Sequence, residues 1–289
     1  KMRWTNRRDK FRKLLSENSC VHPGSVYDPI SARIAEDLGF ESGMFAGSIA
    51  SMTVLGAPDI VMLTLTEFAD QTHRICRAGD LPIIVDADHG YGNALNVMRT
   101  VEALENAGVS ALTIEDTELP PAYGRGNSRR LIPIEEGIGK MQAALEARFD
   151  PNLVIMGRTS APAITGLEDT ISRAIAYQNV GVDVMFFAGM KTKAELDAVS
   201  EQIDIPIMLG GASDELSDRE YLASKNVKIA LQGHMPFSAS VGAVFETLKA
   251  LREGISPKNI SHSGSNEIMS KVLRHEKYDN WTNKYLGDV

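Results

Sequence analysis

Apolar residues along this chain come in short, unbroken runs separated by longer stretches of helical spacing. The runs are GMFAG (43–47), PIIVDAD (82–88), SALTIED (110–116), LVIMGRT (153–159), VDVMFFAG (182–189), IPIMLGG (205–211) and VKIALQG (227–233), and CVHPGSVYD (20–28) supplies a first strand. Between them lie DPISARIAEDLGF (28–40), ALNVMRTVEALENAG (94–108), IEEGIGKMQAALEA (134–147), LEDTISRAIAYQNVG (167–181) and TKAELDAVSEQI (192–203), whose apolar positions recur every three or four residues. Gly39, Gly108 and Gly181 stand where helices should stop. Strands that are apolar throughout, rather than alternating, are buried on both faces, which implies a parallel sheet. Eight strand-then-helix units predict an α/β fold, a (β/α)8 TIM-type barrel over residues 1–255, with a doubly wound open sheet as runner-up. Residues 256–289 read as a C-terminal helical extension. Ile268, Val272 and Leu273 could share one face, followed by Tyr278, Trp281 and Tyr285. Such a tail packs either on its own barrel or on a neighbouring subunit.

A barrel of this kind carries its site at the C-terminal ends of its strands. The polar residues expected there are Ser48 after the second strand, Asp86 and Asp88 after the third, Glu115 and Asp116 after the fourth, Arg158 after the fifth and His234 after the eighth. Asp86 and Asp88 are two apart, so in a strand they face the same way. With Glu115 they either hold a hard divalent cation through oxygen ligands and waters, or serve as turn and cap residues, for which DHGYGN has the composition. Arg158 ends an apolar strand and needs a carboxylate partner. That partner is either one of these acids or the carboxylate of a substrate. His234 is either a structural histidine or a substrate contact. GYGN lacks the spacing of a dinucleotide fingerprint, and there is no P-loop. The long loop TELPPAYGRGNSRRLIPIEEG (117–137) is either a lid or plain surface.

Composition narrows this further. The 289 residues carry a formal net charge of -8, which argues against a nucleic-acid surface but leaves room for a small anionic substrate. No apolar run approaches the roughly 20 residues of a membrane span. The basic start has no apolar signal-peptide core. Two cysteines, Cys20 and Cys76, are too few for a disulfide framework. A cytoplasmic protein is expected.

The segments GSVYDPISARIAEDLGFESGMFAGSIAS, DADHGYGN, TIEDTELP and EEGIGKMQAALEAR, in this order, resemble the isocitrate lyase/phosphoenolpyruvate mutase superfamily over roughly residues 10 to 255. DADHGYGNALNVMRTV and LQGHMPF look most like its branch of bacterial oxaloacetate decarboxylases. The resemblance implies a barrel, a Mg2+ ion (Mn2+ as the alternative), an α-keto dicarboxylate substrate, and homotetramers, as dimers of dimers, that swap C-terminal helices. It makes Asp86 the nearest metal residue, with Asp88 and Glu115 helping to hold the ion. It makes Ser48, Arg158 and His234 substrate contacts, with backbone N–H groups of Gly47 and Ile49 beside them. Asp86, Arg158 and His234 are the expected catalytic set. His89 marks the branch without a chemical role. The chain departs from the family in three places. The loop PPAYGRGNSRR lacks the cysteine and histidine of the superfamily's C–C lyases that cleave isocitrate-like substrates. Ser160 stands where the decarboxylase branch has Asn, and Ala212 where it has an aromatic residue. The implied reaction is decarboxylation of oxaloacetate, or a close β-keto acid, to an enolate and then pyruvate. Phosphonopyruvate hydrolysis or mutase-type chemistry, and a catalytically silent keto-acid-binding barrel, are the alternatives.

Overall fold

The computed structural model describes residues 4–287 apart from Arg125, Asn127, Ala212 and residues 261–263. Ala212 therefore lies outside the described residues. The chain divides into two compact units, Lys1–His234 and Met235–Val289.

The first unit is built on eight parallel strands in sequence order: β1 Gly24–Ser25, β2 Gly43–Phe45, β3 Ile83–Asp86, β4 Ala111–Glu115, β5 Val154–Thr159, β6 Val184–Ala188, β7 Ile207–Gly210 and β8 Val227–Ala230. Parallel pairing joins each to the next. A parallel bridge between Val21 and Ile229 ties the chain ahead of β1 to β8, so the sheet curls back on itself. This is the expected TIM-like α/β fold, and the open-sheet alternative falls away. The apolar runs are strands because both faces of each are covered: every residue of β2, β3, β4 and β8 is buried.

The helices begin and end where local chemistry says they should. Pro29–Asp37 starts on a capping box in which Asp28 accepts from the Ser31 N–H. Ala94–Ala107 starts on a similar box made by Asn93 and Asn96, and stops at Gly108 in the left-handed region. Leu167–Val180 stops at Gly181 in the same way. The basic stretch at residues 5–16, whose pattern predicts no element, forms a helix, Thr5–Ser16. Its Arg8 is buried, and its guanidinium pairs with Asp150 at 2.9 Å and donates to the Glu105 and Val109 carbonyls. A buried cation with all of its partners supplied holds this helix to the barrel.

Among its described residues the second unit carries three α-helices, Met235–Arg252, Asn266–Leu273 and His275–Leu286, and a short 3-10 turn, Pro257–Asn259. No helix among the described residues is long and apolar enough to cross a membrane.

Candidate active site

Strand register sets out the site. Asp86 of β3 lies opposite Thr113 of β4, Glu115 of β4 opposite Arg158 of β5, and Arg158 opposite Phe186 of β6. The contacts follow that register. Thr113 Oγ1 donates to Asp86 Oδ1 at 2.7 Å. The Arg158 guanidinium donates to Asp86 Oδ2 and its Nη2 lies 3.7 Å from Glu115 Oε2. It sits 5.2 Å over the Phe186 ring. Thr117 Oγ1 donates to Glu115 Oε2 at 2.7 Å. Of the two partners the sequence left open for Arg158, the structure supplies the acids. Side chains alternate between the two faces of a strand, and Asp116, one residue past β4 but still bonded through its N–H to the Arg158 carbonyl, points away from its neighbour Glu115. It accepts from Arg173 Nη1 at 3.0 Å and from the Tyr177 hydroxyl at 2.8 Å, both on the helix Leu167–Val180. The expectation that Asp116 joins the mouth is corrected: it anchors a helix to the outer face of the sheet.

The pairing of Asp86 with Asp88 has a different origin from the one expected. β3 ends at Asp86, and Asp88 lies beyond it with φ 47°, in the left-handed region. The turn, not strand alternation, carries Asp88 to the mouth. Gly90 at φ 81° continues that turn, and a Cβ there would lie 2.4 Å from Val97. On the facing wall Gly47 opens a helical turn, Gly47–Ala50; a Cβ on it would meet the Asp88 carboxylate at 2.9 Å. The backbone is thereby brought against an acid with no side chain between. The first N–H groups of a helical turn have no partner within it, which leaves those of Gly47, Ser48 and Ile49 available.

A cavity of about 500 Å3 opens here. Its walls include Ser48, Asp86, Asp88, Glu115, Arg158 and His234. Gly47 and Ile49 flank it, but the wall itself is made by Ala46 and Ser48. Two further charged residues that the sequence reading missed also line it, Asp59 and Arg129. Both sit on loops without periodicity, so only a family alignment could have singled them out. Ser160 lies next to it and accepts a long hydrogen bond, 3.4 Å, from Arg129.

The electrostatics are lopsided. Four carboxyl groups face two guanidinium groups in this cavity. Asp88 is held well above the ordinary carboxylate range, first by burial and then by the charges of Asp86, Glu115 and Asp59. Burial raises Glu115 and Asp59 as well, with Asp86 adding to both and Arg158 opposing. Arg158 is pushed up by Asp86 and Glu115, against the effect of its burial. No described residue donates a hydrogen bond to the Asp88 carboxylate, so what it lacks is positive charge. An all-oxygen donor set of this kind suits a hard divalent cation that keeps several waters. Among the described residues the acids do not converge as a three-ligand cluster, because Arg158 spans Asp86 and Glu115. The residues fit an ion held by one or two carboxylates directly, with the rest acting through water. His234 is lowered by burial, partly offset by Asp86. His89 is buried, lowered to about 4 by desolvation and then by Lys140, and lies outside the cavity wall.

The family model for phosphoenolpyruvate phosphomutase matches residues 11–252. The chain is 59% identical over 273 residues to a Bradyrhizobium diazoefficiens protein named oxaloacetate decarboxylase, covering 94% of each. It is 55% identical over 286 residues to a Rhodopseudomonas palustris protein of the same name, covering 99% of each. Among solved structures it is similar to a phosphonopyruvate hydrolase in complex with oxalate and Mg2+ (27% identity, TM-score 0.84, 97% of this chain and 99% of that one). It is equally similar to an oxaloacetate acetylhydrolase in complex with the inhibitor 3,3-difluorooxalacetate (26% identity, TM-score 0.84, 98% of both chains).

Proposed function

Because the chain belongs to the phosphoenolpyruvate phosphomutase family, we propose that it is a carboxy-lyase that decarboxylates oxaloacetate to pyruvate and CO2 with the help of a divalent cation, Mg2+ or Mn2+. One observation carries the reading: relatives 54–59% identical over 94–99% of this chain all bear the name oxaloacetate decarboxylase. The family's C–C lyase loop signature is missing from residues 117–137, which fits decarboxylation better than cleavage of a larger acid.

Asp86, Asp88 and Glu115 would hold the cation. Bound there, it would supply Lewis-acid withdrawal of charge toward the keto oxygen as the distal carboxylate leaves. The chain's own groups do the rest. The N–H groups of Gly47, Ser48 and Ile49 share the developing negative charge, and the Ser48 hydroxyl contacts the substrate. Arg158 is fixed by Asp86, Glu115 and the Phe186 ring, which holds its guanidinium at the cavity wall so that its remaining N–H groups meet the retained carboxylate. His234 orients the substrate from the far wall. The C3–C4 bond breaks, C4 leaves as CO2, the electron pair forms the enolate of pyruvate, and C3 then takes up a proton.

We take residues 1–255 as the catalytic barrel domain and 256–289 as the helical tail. The two cysteines are unpaired and buried, which suits the reducing cytoplasm. A homotetramer, a dimer of dimers, is favoured by the helix Met235–Arg252, on which Val241, Val244, Phe245 and Leu248 are exposed.

The test is CO2 and pyruvate formation from oxaloacetate by the purified protein, with EDTA and with Mg2+ or Mn2+ restored, and phosphonopyruvate as the competing substrate. Turnover that EDTA abolishes and metal restores supports the reading. CO2 release no faster than the metal-only background would end it. Asp86→Ala is expected to remove activity while leaving the circular-dichroism spectrum unchanged.

A further inference from the structure

We propose that Ser25 is a positioning residue for His234: its hydroxyl holds the imidazole in the tautomer that presents an Nε2–H donor to the keto-acid substrate. This rests on the decarboxylase reading above.

Ser25 Oγ lies 2.9 Å from His234 Nδ1. Ser25 is the last residue of β1, and His234 follows β8, so this contact joins the first and last strand ends across the seam of the barrel. His234 lines the cavity and Ser25 does not. Ser25 therefore reaches the cavity only through the imidazole.

The direction of the hydrogen bond follows from satisfying both partners. A serine hydroxyl has one proton to place and can also accept. Among the described residues, Ser25 Oγ has no partner other than His234 Nδ1. With the imidazole proton on Nδ1, Ser25 would accept and its own proton would find no protein acceptor. With Nδ1 unprotonated, Ser25 donates, both groups are satisfied, and the imidazole proton sits on Nε2. Burial favours the neutral ring, as the lowered His234 value indicates. A neutral Nε2–H can donate to a carbonyl or carboxylate oxygen, which is what an orienting contact requires.

His22 sharpens the contrast. Its Nδ1 lies 2.7 Å from the Ala230 carbonyl oxygen, which can only accept. That fixes its proton on Nδ1, the opposite tautomer. Two histidines at one seam thus carry their protons on different nitrogens, and the partner atom decides which.

The experiment is a double-mutant cycle of Ser25→Ala and His234→Ala, read as kcat/KM for oxaloacetate and as Mg2+-dependent oxalate affinity by calorimetry. Ser25→Ala is expected to lower kcat/KM roughly three- to tenfold, the range a single supporting hydrogen bond produces. Ser25→Thr, which keeps the hydroxyl, is expected to stay within about twofold of wild type. His234→Ala should lose more, and adding Ser25→Ala to it should change nothing further, because Ser25 acts only through the ring. The proposal is overturned if Ser25→Ala alone has no effect, if it loses the same factor with His234 already removed, or if Ser25→Thr is as impaired as Ser25→Ala. Thermal melts report folding; should Ser25→Ala not fold, Ser25→Cys, of similar size but a weak donor, replaces it in the cycle. If the wild-type protein binds oxalate but does not turn over oxaloacetate, the decarboxylase reading has failed, and the cycle in oxalate affinity still decides the role of Ser25. A wild type that neither turns over oxaloacetate nor binds oxalate overturns both.

Discussion

At the scale of single residues, Asp88 carries the heaviest electrostatic burden in the cavity. Its carboxyl is raised well above its ordinary value of 3.8 by burial and by three neighbouring acids. A carboxyl raised in this way binds its proton more tightly in the folded state than in the unfolded one. Its contribution to stability is full below about pH 4, the ordinary carboxylate range, and is lost as pH rises through the raised value. At neutral pH the metal-free protein therefore bears the cost of burying that charge or of taking up a proton to neutralise it. Asp88→Asn is expected to raise the metal-free melting temperature at pH 7 by about 2–4 °C, the shift that about 1 kcal/mol produces in a protein of this size. Asn also tolerates the φ of 47° at this position. Adding Mg2+ should then stabilise the wild type more than the variant, by calorimetry. A variant that melts lower than wild type without metal would sink this account. Arg158→Lys keeps the charge but loses the fork that spans Asp86 and Glu115. It is expected to lower kcat/KM for oxaloacetate by about a hundredfold, the scale of a misplaced catalytic contact. A loss of less than about threefold would mean that the fork is dispensable.

Among elements, the strands were legible because a strand covered on both faces needs an unbroken apolar run, and each of the eight runs became one. Even the two-residue β1 was readable within CVHPGSVYD. The helix boundaries were legible at Gly108 and Gly181 because a left-handed stop favours glycine. The site was less so. Asp88 reached the mouth by a turn that strand alternation does not describe. Asp116 was placed on the wrong face because one residue of strand phase reverses the direction of a side chain. Asp59 and Arg129 lie on loops where no periodicity marks them, and the helix Thr5–Ser16 hides its buried Arg8 in a basic stretch that reads as surface. The loop after β4 was open between lid and plain surface. Its legs are joined by an antiparallel bridge between Thr117 and Leu131, and Glu118 N–H donates to the Arg130 carbonyl at 2.9 Å. From this stem Arg129 enters the cavity wall while Tyr123 is exposed. If the loop closes over ligand, trypsin cleavage after Arg129 or Arg130 should slow by about fivefold or more with Mg2+ and oxalate, since cleavage follows the open population. An unchanged rate would make it plain surface.

At the scale of the whole molecule, the helix Met235–Arg252 leaves Val241, Val244, Phe245 and Leu248 exposed, at 51%, 57%, 63% and 61%. Their spacing of three, four and seven residues from Val241 puts them on one stripe. A stripe of large apolar side chains facing water marks a surface that meets another protein surface. Oxaloacetate decarboxylation needs no protein partner, so a second copy of this chain is the simplest occupant, and closed symmetric assemblies are the common outcome for enzymes of this size. For the homotetramer proposed above, sedimentation of the purified protein is expected to give about four times the chain mass of 31.5 kDa. Phe245→Asp puts a charge in the middle of the stripe and should shift the protein to smaller species at micromolar concentration, because an unpaired charge buried at an interface is strongly disfavoured. A wild type that sediments as a monomer would remove the tetramer. A Phe245→Asp protein that stays tetrameric would leave the assembly standing but move its interface to another surface.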